Sequence, residues 1–184
     1  MMKLIICSIL FTVSCKKEIS YPEAPIYSPG SQEYGWSNAM KNGLPFEASG
    51  LAREHSDRPN DFWGFYMETY TEWGAERESI YIAELEYKLG SVQVLNNDEN
   101  QENGIPIGFY ATSTDDGDVS EDNYRIDSRQ SNWIEIISID TINGEQTISG
   151  KYNLHFKIDS EKRNPLNPDH VRFIEGTFEV RFQQ

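Results

Sequence analysis

The sequence predicts an all-β domain, an antiparallel β-sandwich or flattened β-barrel of about nine or ten short strands. Three observations predict it. From Trp36 onward, short runs of β-branched and aromatic residues are separated by Asn, Asp, Gly and Pro clusters; the dipeptides Asn42-Gly43 and Asn143-Gly144 stand between such runs; and no stretch carries the period of a long helix.

The elements follow in order. Residues 36–41 and 44–53 form a first pair around Asn42-Gly43, whose tolerance of positive φ suits a tight hairpin, and Pro45 points to an edge position. Asp61 to Thr71 follows, with Trp63, Phe65 and Met67 on one face and Phe62, Tyr66 and Tyr70 on the other. Segments near 78–87, 91–95, 105–113 and 122–127 read as extended, while Ala83 to Lys88 also suits a helical turn. Trp133 to Asp140 then leads through Asn143-Gly144 into the clearest strand. There Ile148, Gly150, Tyr152, Leu154, Phe156 and Ile158 alternate with polar residues, the period of two that a half-buried strand requires. The last strand runs from Val171 to Phe182, with Phe178, Val180 and Phe182 on one face, and Gly176 marks a bulge or a close backbone approach.

A length of 184 residues suits one domain, and 38% hydrophobic with 12% aromatic residues suffices for a packed core. Thirty acidic against 16 basic residues give a net charge of −14. Nucleic-acid binding calls for a clustered basic face, so nucleic acid is not expected as a partner. An acidic surface also repels anionic headgroups, so attachment to a membrane requires a separate device.

The amino terminus supplies one. Lys3 precedes the apolar run Leu4 to Val13, which is too short to span a bilayer and has the architecture of an export signal. The segment Leu10-Phe11-Thr12-Val13-Ser14-Cys15 resembles the lipobox of bacterial lipoproteins; Ser14 and Cys15 match it, while Thr12 stands where leucine is usual. The resemblance implies cleavage after Ser14 and acylation of Cys15, with the lipid bilayer as a partner through that cysteine; the alternative is an ordinary secretory signal cleaved near the same place. The other cysteine, Cys7, lies in the discarded segment, so no disulfide is expected in the mature chain. Lys16, in place of aspartate after the cysteine, is compatible in the proteins it resembles with delivery to the outer membrane. Pro22, Pro25 and Pro29 then make an extended linker. The expected organisation is a signal peptide over 1–14, a lipidated cysteine and flexible tether over 15–33, and a β-rich domain over 34–184.

Chemical signatures are few. His55, His155 and His170 stand in no metal-ligand spacing and are expected as solvated surface imidazoles. No GxSxG elbow, phosphate-cradling loop or dinucleotide fingerprint occurs, so no catalytic residue and no cofactor is assigned. The acidic loop Ser113 to Asp122 concentrates oxygen ligands around Gly117 but lacks EF-hand spacing; it is expected as a solvated hairpin loop, with calcium binding the alternative, and Asn96 to Asn103 as loop alone. Trp36, Trp63, Trp73 and Trp133 are candidates for ligand contact or for core, Trp63 for core. On the face opposite Trp63, the candidate ligand-contact residues are Phe62, Tyr66, Tyr70 and Trp73, since exposed aromatic planes stack on sugar rings or peptide side chains.

Three stretches, Asn42-Gly43-Leu44-Pro45-Phe46-Glu47-Ala48, Ile148-Ser149-Gly150-Lys151-Tyr152 and Glu175-Gly176-Thr177-Phe178, give the chain a resemblance over 36–184 to small Bacteroidota lipoproteins of unknown function. It implies an antiparallel β fold and placement in the cell envelope, and supplies no catalytic residues. The function expected is a membrane-anchored, non-catalytic module that binds a glycan or an envelope protein. The alternatives are a structural accessory subunit of an envelope complex and an envelope hydrolase.

Overall fold

The computed structural model describes residues 28–55, 61–96, 105–114, 116–142, 144–159 and 161–182, and among these described residues there are ten strands and no helix. The signal segment, Cys15, most of the tether and Asn143 lie outside the described residues. The strands are β1 (Gly35–Lys41), β2 (Leu44–Glu54), β3 (Phe62–Tyr70), β4 (Glu76–Glu86), β5 (Val92–Val94), β6 (Ile107–Ser113), β7 (Ser120–Ile126), β8 (Trp133–Ile142), β9 (Glu145–Ile158) and β10 (His170–Arg181). Several are longer than the short strands expected, β9 reaching 14 residues.

All strands join one antiparallel sheet in the order β10-β1-β2-β3-β4-β6-β7-β9-β8-β5, and β10 also pairs with β9. The circuit is therefore ring-like. Its weakest link is β7 with β9, three residue pairs from Tyr124↔Ile158 to Ile126↔Phe156. Below that link β8 takes over the same edge of β9, beginning at Trp133↔Asn153, and carries β5 out of the circuit. The arrangement is not a barrel and is consistent with a flattened sandwich.

Small residues line the inner faces of β1 and β2, namely Ser37, Ala39, Ala48 and Ala52. They leave room for Trp63, Phe65, Tyr152 and Phe178, all buried, and Phe65 and Phe178 meet with ring centroids 4.5 Å apart. Each such side chain contributes roughly 1.5–3 kcal/mol by leaving water. Two glycines set the register of this core. Gly150 stands directly opposite Phe178 and Gly176 directly opposite Tyr152, so each aromatic ring lies over a glycine on the neighbouring strand. Gly176 meets both expectations, as β10 bulges between Phe173 and Gly176.

Two local expectations change. Ala83 to Lys88 is not a helical turn. β4 runs through to Glu86 with a bulge opposite Gly64, where Glu84 takes φ 59°, and the extra residue is what blurs the period of two. Pro45 does not make β2 an edge strand: β2 lies between β1 and β3, but pairing with β3 starts only at Ser49, so the missing N–H falls on the unpaired part. Ser28, within the expected tether, forms an isolated bridge to Tyr70, the two backbones exchanging hydrogen bonds of 2.9 and 2.8 Å.

Candidate functional site

The four aromatic residues singled out on β3 and its following turn do not form one surface. Phe62 and Tyr70 lie at opposite ends of β3, about 26 Å apart at the rise of a strand. Tyr66 between them is engaged by its own neighbours: Tyr81 stacks on it at 4.4 Å and the Arg53 guanidinium stands 4.9 Å from its ring centroid. Burial, followed by the Tyr66 hydroxyl, pushes the Tyr81 phenol up to about 12. Tyr70 lies against Gly30 of the tether and donates its hydroxyl proton to Glu68; burial first, then Glu68, raises it to about 12. Trp73 is 70% exposed on the β3–β4 turn. Of the other tryptophans, Trp63 is core as expected, and Trp36 and Trp133 are half-buried.

Of the acidic loop's described carboxylates, Glu121 and Asp122 share Asn164 and Asn167 as donors. Asp116 turns back to accept from Thr114 Oγ1 and, at 3.3 Å, from the Asp118 amide. Asp122 points into the sheet interior, where it accepts from the Arg163 amide at 2.6 Å and Asn167 Nδ2 at 2.8 Å, clamping the β9–β10 loop. Among the described residues no three His, Cys, Asp or Glu side chains are placed to hold a metal ion.

A cleft forms instead on the outer face of β9 and β10. The chain passes from β7 to β8 along one edge of β9, and residues 127–132 bulge outward between them. Asp127 N donates to the His155 carbonyl at 2.8 Å, and Asn132 Oδ1 accepts from His155 N at 2.6 Å, so the loop is fixed to β9 by backbone geometry. On the far side the Asn42 turn is tied to β10, its Oδ1 accepting from Arg172 N at 3.0 Å. The open cleft of about 480 Å³ is lined by Asn42, Asp127, Gln130, His155, His170 and Arg172, with Phe156 and Val171 completing it. That volume lies in the range of small-molecule sites.

Its electrostatics run against those of the chain. The outward side chains of Arg125, Lys157 and His170 stand in directly paired positions across β7, β9 and β10, and His155 stands opposite Arg172. Asp127, almost wholly buried, is held below the usual carboxylate range first by the Arg129 guanidinium, which bonds it at 2.9 and 3.1 Å. Asp159 pairs with Arg125 at 3.0 Å, and Asp169, beside His170, pairs with Lys162 at 2.9 Å.

His155 is only partly solvated, in contrast to the surface imidazole expected, although its strand face is the predicted polar one. Burial holds its pKa below the ordinary value of 6.5, and the Arg172 guanidinium adds to the push. Well above that value the ring is neutral folded or unfolded. As pH falls through it, the unfolded chain takes up a proton that the folded chain resists, so stability declines until the lower folded pKa is reached. In denaturant titrations, His155→Gln is expected to lose less stability than the parent between about pH 7.5 and pH 5.5. An equal loss in both would contradict the assignment.

A second polar group lies inside the ring. Glu78, 5% exposed at its side chain, is paired with Lys41, accepts from Tyr110 Oη at 2.7 Å and from Thr69 Oγ1 at 3.2 Å. It joins β1, β3, β4 and β6, its hydroxyl partners Thr69 and Tyr110 being buried and Lys41 half-buried. We read it as structural.

Sequence reasoning missed the cleft because its parts come from 42, 127–130, 155 and 170–172, joined only by register. One signal was available: His155, Lys157, His170 and Arg172 all fall on the polar phase of consecutive strands. Compared with known protein families, curated proteins and solved structures, the chain matches none.

Proposed function

We propose that this chain is a lipid-anchored protein of the bacterial cell envelope, held at the outer membrane through acylated Cys15, whose β domain is a non-catalytic binding module. The observation that carries the binding half is the β9–β10 cleft, whose polar lining side chains, Asn42, Gln130, His155, His170 and Arg172, lie outside the hydrophobic core and whose walls are fixed by hydrogen bonds to the strand backbones. Its partner is a glycan or a polar group of an envelope protein. The anchoring half rests on the apolar run ending at Ser14-Cys15, and the resemblance to Bacteroidota lipoproteins agrees with it. Two or more acyl chains hold a protein durably at a bilayer, and one does not. In cell fractionation the parent chain is expected with membranes and Cys15→Ser in the soluble fraction; a parent found soluble would overturn the anchor.

A second reading, an accessory subunit of an envelope complex, is favoured by the sheet's terminal strand. Val92 and Val94 on β5 and Leu89 before it are 55, 63 and 61% exposed. Such an edge invites a protein partner.

A further inference from the structure

We propose that the β9–β10 cleft is an oxyanion site, taking a small ligand through a carboxylate or phosphate group. The inference rests on reading the cleft as the binding surface and adds the chemical class of what it holds.

The chain as a whole carries −14, so a cluster of cations requires an explanation. Arg172 lines this cleft, and with Arg125, Arg129, Lys157 and Lys162 near it makes five permanent cations against three carboxylates, Asp127, Asp159 and Asp169, with His155 and His170 among them. Like charges directly opposite across strands destabilise a sheet, and here Arg125 faces Lys157. Each of the three carboxylates already has a cation, Arg129 on Asp127 at 2.9 Å, Arg125 on Asp159 at 3.0 Å and Lys162 on Asp169 at 2.9 Å. Among the described residues no carboxylate lies within ion-pair reach of Lys157 or Arg172. Cations without an ion-pair partner beside a cleft are what an anion site needs before its ligand arrives.

The donors suit oxygen. A guanidinium presents a planar fork matching two oxygens of a carboxylate or phosphate, and Lys157 adds a point charge. The Asn42 side chain gives its oxygen to Arg172 N, which leaves its amide hydrogens as donors. The cleft is large enough for a monosaccharide acid as well as for inorganic phosphate.

The test is imidazole NMR of His155 and His170 in the chain from residue 15 carrying Cys15→Ser, titrated at constant ionic strength with glucuronate, inorganic phosphate and glucose. Saturable shifts at both histidines with glucuronate or phosphate, but none with glucose, are expected. Which anion acts separates a sugar acid from free phosphate. Arg172→Gln, an exposed position, is expected to weaken binding about tenfold or more without changing the melting temperature. Lys151→Gln, on the same face of β9 but outside the cleft, is expected to leave it unchanged. Glucose saturating the same resonances would overturn the anion class and leave the cleft a binding site. No probe moving either histidine would remove both the class and the site, and unchanged affinity in Arg172→Gln would overturn the proposal.

Discussion

Gly176→Ala is expected to destabilise the domain by about 2–3 kcal/mol, a large effect for one methyl group. A Cβ at this position would overlap the Tyr152 ring, which is fully buried and hydrogen-bonded to Ser37 Oγ at 2.8 Å, so it has nowhere to go. The loss is specific to that ring. In a double-mutant cycle, Tyr152→Leu is expected to recover much of it, with a coupling of about 1 kcal/mol or more. The mirror position behaves differently. A Cβ at Gly150 would meet the Glu135 carbonyl as well as the Phe178 ring, so Phe178→Leu is not expected to rescue Gly150→Ala. Urea unfolding of the four single variants and two doubles checks both statements, and a rescue at both glycines, or at neither, would contradict the register.

Lys41→Met is expected to cost about 3 kcal/mol. Breaking a buried ion pair by removing one partner costs roughly 3–5 kcal/mol, and the lower end applies because the Lys41 side chain is 21% exposed. Glu78 would keep the Tyr110 and Thr69 hydroxyls but lose its counter-charge at 5% exposure. Removing both charges with Lys41→Met and Glu78→Leu leaves no buried carboxylate unpaired, and is expected to cost less than the single lysine change. A double variant less stable than Lys41→Met would mean that the hydrogen bonds, and not the charge pair, hold this end of the core together.

What the sequence reveals and what it hides follow from range. Asn42 and Gly43 take φ 51° and 90°, the tight turn their chemistry suggests, and the alternation from Ile148 to Ile158 places its apolar phase inward. Those are local properties. The sheet order is not local: β4 skips β5 to pair with β6, and β10 returns to β1, neither of which leaves a mark on either segment. On β1 the local signal misleads, because Trp36 and Met40 look like the inward phase while Ser37 and Ala39 occupy it to make room for rings from other strands. Lys41 and Glu78 read singly as solvated charges, and only the closing of the ring brings them together. The candidate site shows the same division. Each aromatic on β3 was visible with its correct face, but Tyr81, Arg53 and Gly30, which occupy Tyr66 and Tyr70, come from other elements. The cleft residues gain meaning only from the pairing of Arg172 with His155.

The anchor is the claim on which location depends, and the mass of the mature protein extracted with detergent from bacterial membranes addresses it most directly. The account predicts a chain that starts at Cys15, lacks residues 1–14 and is heavier than its sequence by a diacylglycerol and further acyl mass. A terminus that begins elsewhere, or a Cys15 of unmodified mass, would contradict it.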